Sequence, residues 1–328
     1  MLPYFSEIYG NASSNHSYGR KAKQAVEIAR KQVSDIIDVS PSEIFFTSGA
    51  TESINWAIKG YAETNRNKCK HIVTVKTEHK AVLNTCEYLE TIGYEVDYLN
   101  VDSNGMINLK ELENSIREDT ALVCVMYVNN EIGVIQDIKG IGTICKSKNV
   151  CFFCDATQAV GKVKVDIIEE HIDLLAFSGH KMNGPKGIGA LYKKSNIKIS
   201  PLIHGGSQEK GLRGGTYNTP LIVGFGEACR IANLEFDDKV EKWNKLRKEV
   251  EQEYEKNGTG IVNFKDVKTA PHIMSITLND ENAEDFLLKN AAKFVASTGS
   301  ACNAALVEES HVLFAIGCKA ENTYRISF

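Results

Sequence analysis

The sequence predicts an α/β protein: a large unit over residues 1–238 built on a mostly parallel, doubly wound sheet, and a smaller α+β unit over residues 239–328. Three observations carry this expectation. Short apolar runs, each long enough for one buried strand, alternate with segments whose apolar residues recur at helical spacing. Polar clusters follow the strands, at the carboxyl ends where sheets of this kind collect ligands. The length of 328 residues exceeds what one simple core accommodates.

In chain order, residues 1–20 are a polar, turn-rich lead-in with no strand. Over 21–37, Ala22, Ala25, Val26, Ala29, Val33, Ile36 and Ile37 mark one face of an amphipathic helix. Residues 43–47 form a strand, and Ser48-Gly49-Ala50-Thr51 opens a helix through Trp56 and Ile58. Residues 71–75 form the next strand, after which Thr77-Glu78-His79-Lys80 begins a helix. Further strands are expected at 94–99, 122–128 and 150–154, with helices near 109–116 and 138–146. The apolar runs 174–177 and 188–192 read as two strands around a Gly-rich turn, Ser178 to Gly187. The unit boundary falls in the charged helical stretch 237–255, followed by a turn at 257–260. A strand at 273–277, a surface turn at 278–281 and a helix at 283–289 complete the smaller unit. There is no internal repeat and no low-complexity tract.

Composition narrows the class. Hydrophobic residues make up 43% and charged residues 24%, as in ordinary soluble proteins. A formal charge of −4 and a pI near 6.1 give no reason to expect nucleic acid as a partner. No apolar run approaches the roughly 18 residues that span a bilayer, and the first residues lack a signal-peptide layout. Nine cysteines, odd in number and without framework spacing, suggest free thiols in a reducing compartment. The expectation is a cytoplasmic enzyme with no membrane or nucleic-acid partner.

Candidate chemistry gathers behind the strands. Lys181 stands at the exit of a buried strand beside Ser178, His180 and small residues. It reads either as an amine activated to join a cofactor aldehyde, or as part of a surface turn that carries two lysines. The strand–turn–helix at Ser48–Ser53 is either an anion site, built on backbone N–H groups that lack helical partners, or a plain helix cap. Asp155 leaves a core strand as a carboxylate that needs a cation, such as a pyridinium nitrogen, or else caps the following segment. Gln158 is a donor to a phenolic oxygen or a surface residue. His79 is a ring-stacking proton carrier or a cap.

The segments FTSGATESIN, TEHKAV, VNNEIGVIQDI, CDATQAVGK, FSGHKMNGPKGIGALY, GGSQEKGLRGGTYNTP, STGSACNA and YRISF occur in the order found in cysteine desulfurases. The chain thus resembles, over nearly its whole length, the class V aminotransferase-like enzymes of fold type I, the aspartate aminotransferase-like fold of pyridoxal phosphate enzymes. STGSAC resembles the NifS/IscS group. The resemblance implies pyridoxal 5'-phosphate as cofactor and conversion of L-cysteine to L-alanine. Lys181 would be the Schiff-base lysine, Asp155 the partner of the ring nitrogen, Gln158 the donor to the ring oxygen, and His79 the stacking proton carrier. Ala50, Thr51, Ser178 and His180 would hold the phosphate, and Thr216 would reach the partner subunit's phosphate across a homodimer interface. Asn129 would sit near the ring oxygen and substrate, and Arg325 would clamp the substrate carboxylate, a task suited to its planar fork.

Cys302, in a run of small residues, would receive the sulfur as a persulfide for delivery to an acceptor protein, an iron–sulfur scaffold or a tRNA-thiolation protein. The other cysteines read as small buried hydrophobes. For Cys151 and Cys154 the intervening Phe152-Phe153 argues against redox pairing. Family members usually begin with a further strand and continue beyond the RISF segment, and both parts belong to the small domain. The resemblance therefore leaves open a truncated non-catalytic scaffold, or a split enzyme completed by a second chain, and a selenocysteine lyase reading is the weaker variant.

Overall fold

A computed structural model describes residues 1–292, 296–298 and 310–328. The lead-in contains a short helix, α1 (Pro3–Ser6), and the first long helix, α2 (Ser17–Asp35), begins four residues before the sequence pattern placed it. His16 explains the earlier start: its Nδ1 accepts from the Gly19 amide and caps the helix. Then follow β1 (Ile44–Thr47), α3 (Ala50–Asn65), β2 (His71–Val75), α4 (Lys80–Thr91), β3 (Glu95–Leu99), α5 (Leu109–Ser115), β4 (Thr120–Cys124), α6 (Ile138–Lys148) and β5 (Cys151–Asp155). The remaining elements of the main sheet and its cover are β6 (Leu174–Ser178), β7 (Gly189–Lys193) and α7 (Thr219–Leu234).

The seven strands lie in the order β1-β7-β6-β5-β4-β2-β3. All neighbouring pairs are parallel except those of β7, which runs antiparallel to both β1 and β6. This is the predicted mostly parallel α/β sheet. Both faces are covered, which is why its strands read as continuous apolar runs. Phe46, Val73, Val123, Phe152, Cys154, Leu175 and Phe177 pack on one face, against α2, α6 and α7. Phe45, Ile72, Leu122, Cys151, Phe153, Leu174 and Leu191 pack on the other, against α3 and α4. Cys151 and Cys154 thus point to opposite faces of one strand, and burial pushes both thiols far up.

Helix α8 (Phe236–Asn257) runs unbroken past residue 238 and ends at Gly258 in a left-handed cap. Beyond it β8 (Gly260–Val262), β9 (Ile273–Leu278), α9 (Ala283–Asn290), α10 (His311–Ala315) and β10 (Thr323–Ser327) follow, and the strands form a three-stranded antiparallel sheet ordered β10-β9-β8.

One buried ion pair ties α2 to the sheet and to the segment before α7. Arg30 donates to both carboxylate oxygens of Glu209, at 2.9 and 2.7 Å, and to the carbonyl of Ile44 at 2.8 Å. Glu209 also accepts from the amide of Phe46 at 3.0 Å. Glu209→Ala leaves a buried guanidinium without its counter-charge, and is expected to cost about 3–5 kcal/mol. A urea denaturation midpoint close to that of the unsubstituted chain would show the pair to be dispensable.

Candidate active site

The carboxyl ends of β1, β5 and β6 open onto a cavity of about 440 Å³. Ser48, Ala50, Thr51, His79, Asp155, Gln158, Ser178, His180, Lys181 and Arg325 all line it. At one end, β1 turns at Ser48-Gly49 into α3, whose first-turn amides have no helical acceptors. This turn needs a bare neighbour: a Cβ on Gly189 in β7 would stand 2.7 Å from the Gly49 Cα. Glu52 does not fill the anion position, because its carboxylate accepts from the Ser48 amide at 2.8 Å and pairs with Arg213 at 2.8 and 3.1 Å. Opposite lies Ser178 at the end of β6, its hydroxyl 2.8 Å from His180 Nδ1. Burial, with Lys181, Lys162 and Lys186 adding to it, lowers the His180 pKa. Amides, a hydroxyl and an imidazole around one point suit a phosphate group.

At the other end, Asp155 terminates β5 at 5% exposure. Its Oδ1 accepts from the Thr157 amide at 3.0 Å and the Thr157 hydroxyl at 2.5 Å, and no cation pairs with it among the described residues. An anion held this rigidly, with its second oxygen left to the cavity, fits a protonated ring nitrogen. His79 caps α4: Nδ1 accepts from the Ala81 amide at 3.0 Å, which leaves Nε2 as the donor. Beneath it Glu78 is fully enclosed, accepts from the Met126 amide at 2.6 Å, and is pushed well above the ordinary carboxylate range by burial and then by the charge of Asp155. With Lys181 on the single turn Gly179–Met182 that follows β6, the donor set fits pyridoxal phosphate from phosphate to ring nitrogen.

Arg325 reaches the cavity from β10. It is held on both sides, in register with Ser275 of β9 and bridged to Ser297. Its Nη1 donates to the carbonyl of Asn130 at 2.7 Å, while the buried Nε has no acceptor among the described residues. Nη2 makes no hydrogen bond among the described residues, so that end of the fork is left for a carboxylate in the cavity that Arg325 lines.

Two predicted residues stand apart from this wall. Asn129 is 2% exposed and its amide holds the backbone: it donates to the Thr77 carbonyl at 2.9 Å and accepts from the amides of Glu131 and Ile132. The neighbouring Asn130 lines the cavity instead. Thr216 is exposed and lies outside the cavity. Cys302 lies outside the described residues. Sequence reasoning missed Thr157, Glu78 and Lys162. The two-residue spacing of Asp155 and Thr157 and the four-residue spacing of Gln158 and Lys162 were the available signals.

Lys162 carries a testable consequence. Burial, with Lys181 and Arg325 adding to it, lowers its pKa from 10.5 to about 7. The folded chain therefore binds fewer protons than the unfolded chain between those values, and the penalty is full below about pH 7 and fades as pH rises. Lys162→Met is expected to be more stable than the unsubstituted chain at pH 7, with the advantage shrinking by up to about 1.4 kcal/mol per pH unit toward pH ~10. Urea titrations of both chains at several pH values check this; a pH-independent difference would contradict it.

The family model "Aminotransferase class-V" matches residues 1–328. The chain is similar to "Cysteine desulfurase IscS" of Methanosarcina thermophila, 47% identical over 322 residues that cover 98% of this chain and 80% of that one. Among solved structures it is similar to "NIFS-LIKE PROTEIN", with TM-score 0.92 and 38% identity, covering 100% of this chain and 88% of the other. It is also similar to "SspA in complex with cysteine", with TM-score 0.85 and 39% identity, covering 99% and 92%.

Proposed function

Because the chain belongs to the class V aminotransferase family, we propose a specific course for its reaction: it is a pyridoxal 5'-phosphate-dependent cysteine desulfurase that releases L-alanine and takes the sulfur onto Cys302. The observation that carries this reading is the convergence of Lys181, Asp155, His79, Gln158 and Arg325 on one cavity. The bound cofactor supplies an electron sink next to the substrate α-carbon.

The chain's own residues do the rest. Arg325 holds the substrate carboxylate with the part of its fork that faces the cavity, while Nη1 is fixed on Asn130. Lys181 moves the α-proton, and His79 is placed to donate or accept through Nε2. Asp155 keeps the ring nitrogen protonated, and Thr157 fixes its carboxylate for that task. The Cys302 thiolate attacks the substrate sulfur; the Cβ–S bond breaks with its electron pair retained on the carbon side, and protonation there gives the alanine methyl. A persulfide remains on Cys302, with no external oxidant required.

The exposed position of Thr216 supports a homodimer in which this threonine completes the partner subunit's phosphate site. The persulfide passes to an acceptor protein, an iron–sulfur scaffold or a tRNA-thiolation protein, in the cytoplasm. No helix among the described residues is long and apolar enough to cross a membrane.

The test is one reaction of the cofactor-loaded protein with L-cysteine, followed for alanine and for protein-bound sulfane sulfur. Equal amounts of both in the first turnover are expected. A cofactor band with no alanine would sink the desulfurase and favour a non-catalytic scaffold.

A further inference from the structure

Lys162 is 9% exposed and belongs to a tight turn between β5 and β6. Gly161 makes this turn at φ +75°, and a Cβ there would meet the sulfur of Met182 at 3.0 Å, so the turn rests against the segment that bears Lys181. Among the described residues no carboxylate lies within ion-pair distance of Lys162. A second cavity of about 310 Å³, lined by Lys162, Lys239, His272 and Arg325, has no acidic residue in its wall. The one side-chain hydrogen bond that Lys162 makes among the described residues runs from Nζ to Gln158 Oε1, at 2.8 Å. A buried lysine whose only acceptor is a neutral amide gains little for the fold, and such a group beside an active site calls for a functional account.

The same oxygen is approached by a second donor, His272 Nε2, at 3.4 Å. Burial, with Lys162, Arg247 and Arg325 adding to it, lowers His272 to about 2, so the ring is neutral, and its Nδ1 has no hydrogen-bond partner among the described residues. Gln158 Nε2 has no hydrogen bond among the described residues, while Gln158 lines the main cavity with Asp155 and Lys181. An amide has two distinct ends, and which end faces a ligand is decided by what holds the other. A lysine Nζ has an N–H to donate whether charged or neutral, so it can hold Oε1 in either state.

We propose that Lys162 is a positioning residue that pins Gln158 Oε1 and so presents the Gln158 Nε2 donor to the cofactor's ring oxygen. This rests on the reading of the main cavity as the pyridoxal phosphate site. With Lys162 removed, the amide is free to turn its oxygen toward the ring oxygen, where two acceptors repel. A donor to the ring oxygen in its charged form weakens that oxygen's hold on a shared proton; losing it tightens that hold.

The experiment is a pH titration of the long-wavelength absorption band of the cofactor-loaded protein, which requires no turnover. Lys162→Met and Gln158→Met are each expected to raise the midpoint by about one pH unit. The double variant is expected to shift no further than Gln158→Met alone, because one residue acts through the other. Lys162→Leu provides a second apolar replacement if the Met variant folds poorly. An unchanged midpoint in either folded, cofactor-loaded Lys162 variant overturns the proposal, and so do additive shifts in the double variant. Absence of the band from the unsubstituted protein would instead overturn the cofactor site itself, and the two failures are therefore distinguishable.

Discussion

Lys181→Ala is expected to abolish the visible band of the bound cofactor and to lower alanine release by at least about 10²–10⁴-fold, the usual contribution of a positioned proton carrier. The argument is one of competition among amines. Two lysines line the cavity and a third, Lys162, lines the second one, and the structure separates them. Lys186 lines the cavity but is exposed, so its amine is solvated like that of a surface lysine. Lys162 is buried, and its amine is engaged by Gln158. Lys181 alone is partly buried, lines both cavities, and sits on the turn immediately after β6, three residues beyond Ser178 at the phosphate end. Lys186→Ala is the control, with band and turnover expected to stay close to those of the unsubstituted protein. A Lys181→Ala protein that retained the band would move the covalent tether to another amine.

Much of this site was legible because parallel sheets put polar residues at predictable places. Strands β1, β2, β5 and β6 each show as an apolar run followed by a polar cluster, and the topology brings those clusters to one edge. Pattern reading went less far where backbone geometry decides the role. Asn129 and Asn130 are adjacent and identical in type, and only the Asx-like bonds to Glu131 and Ile132 reveal that the first one holds the turn. The start of α2 depended on a histidine cap, which the apolar periodicity does not register. Lys162 was hidden for a different reason: a lysine at the end of a Gly-containing turn reads as solvated, and its burial arises from the turn bearing Lys181, which packs on it from elsewhere in the chain. Arg325 gained its support in the same non-local way, from β9 and from Ser297.

Cys302→Ser is expected to leave the cofactor band intact and to lower alanine release by about 10³-fold or more, because a hydroxyl is a far weaker sulfur acceptor than a thiolate. Two arguments single out this cysteine. The first is elimination: Cys86, Cys124, Cys145, Cys151, Cys154 and Cys229 are buried, and burial raises each of their thiols away from the reactive thiolate form, while Cys69 precedes the amino end of β2, at the sheet edge opposite the cavity. Cys318 is raised by the same cause. The second is attachment. Ser297 exchanges backbone hydrogen bonds with Arg325, at 2.8 and 3.2 Å, so the segment that carries Cys302 in sequence starts beside the residue proposed to clamp the substrate carboxylate. It returns at Ser310, whose hydroxyl donates to Glu131 at 2.5 Å, and at His311, whose Nε2 lies 2.9 Å from the carbonyl of Glu78 beside His79. Cys302 is five positions from Ser297, a span of at most about 18 Å. In the unsubstituted protein, one turnover without an acceptor should add a single sulfur atom to the peptide containing Cys302, removable by reductant. Alanine release by Cys302→Ser at the unsubstituted rate, or the added sulfur on a different cysteine, would remove Cys302 from the mechanism while leaving the cofactor site in place.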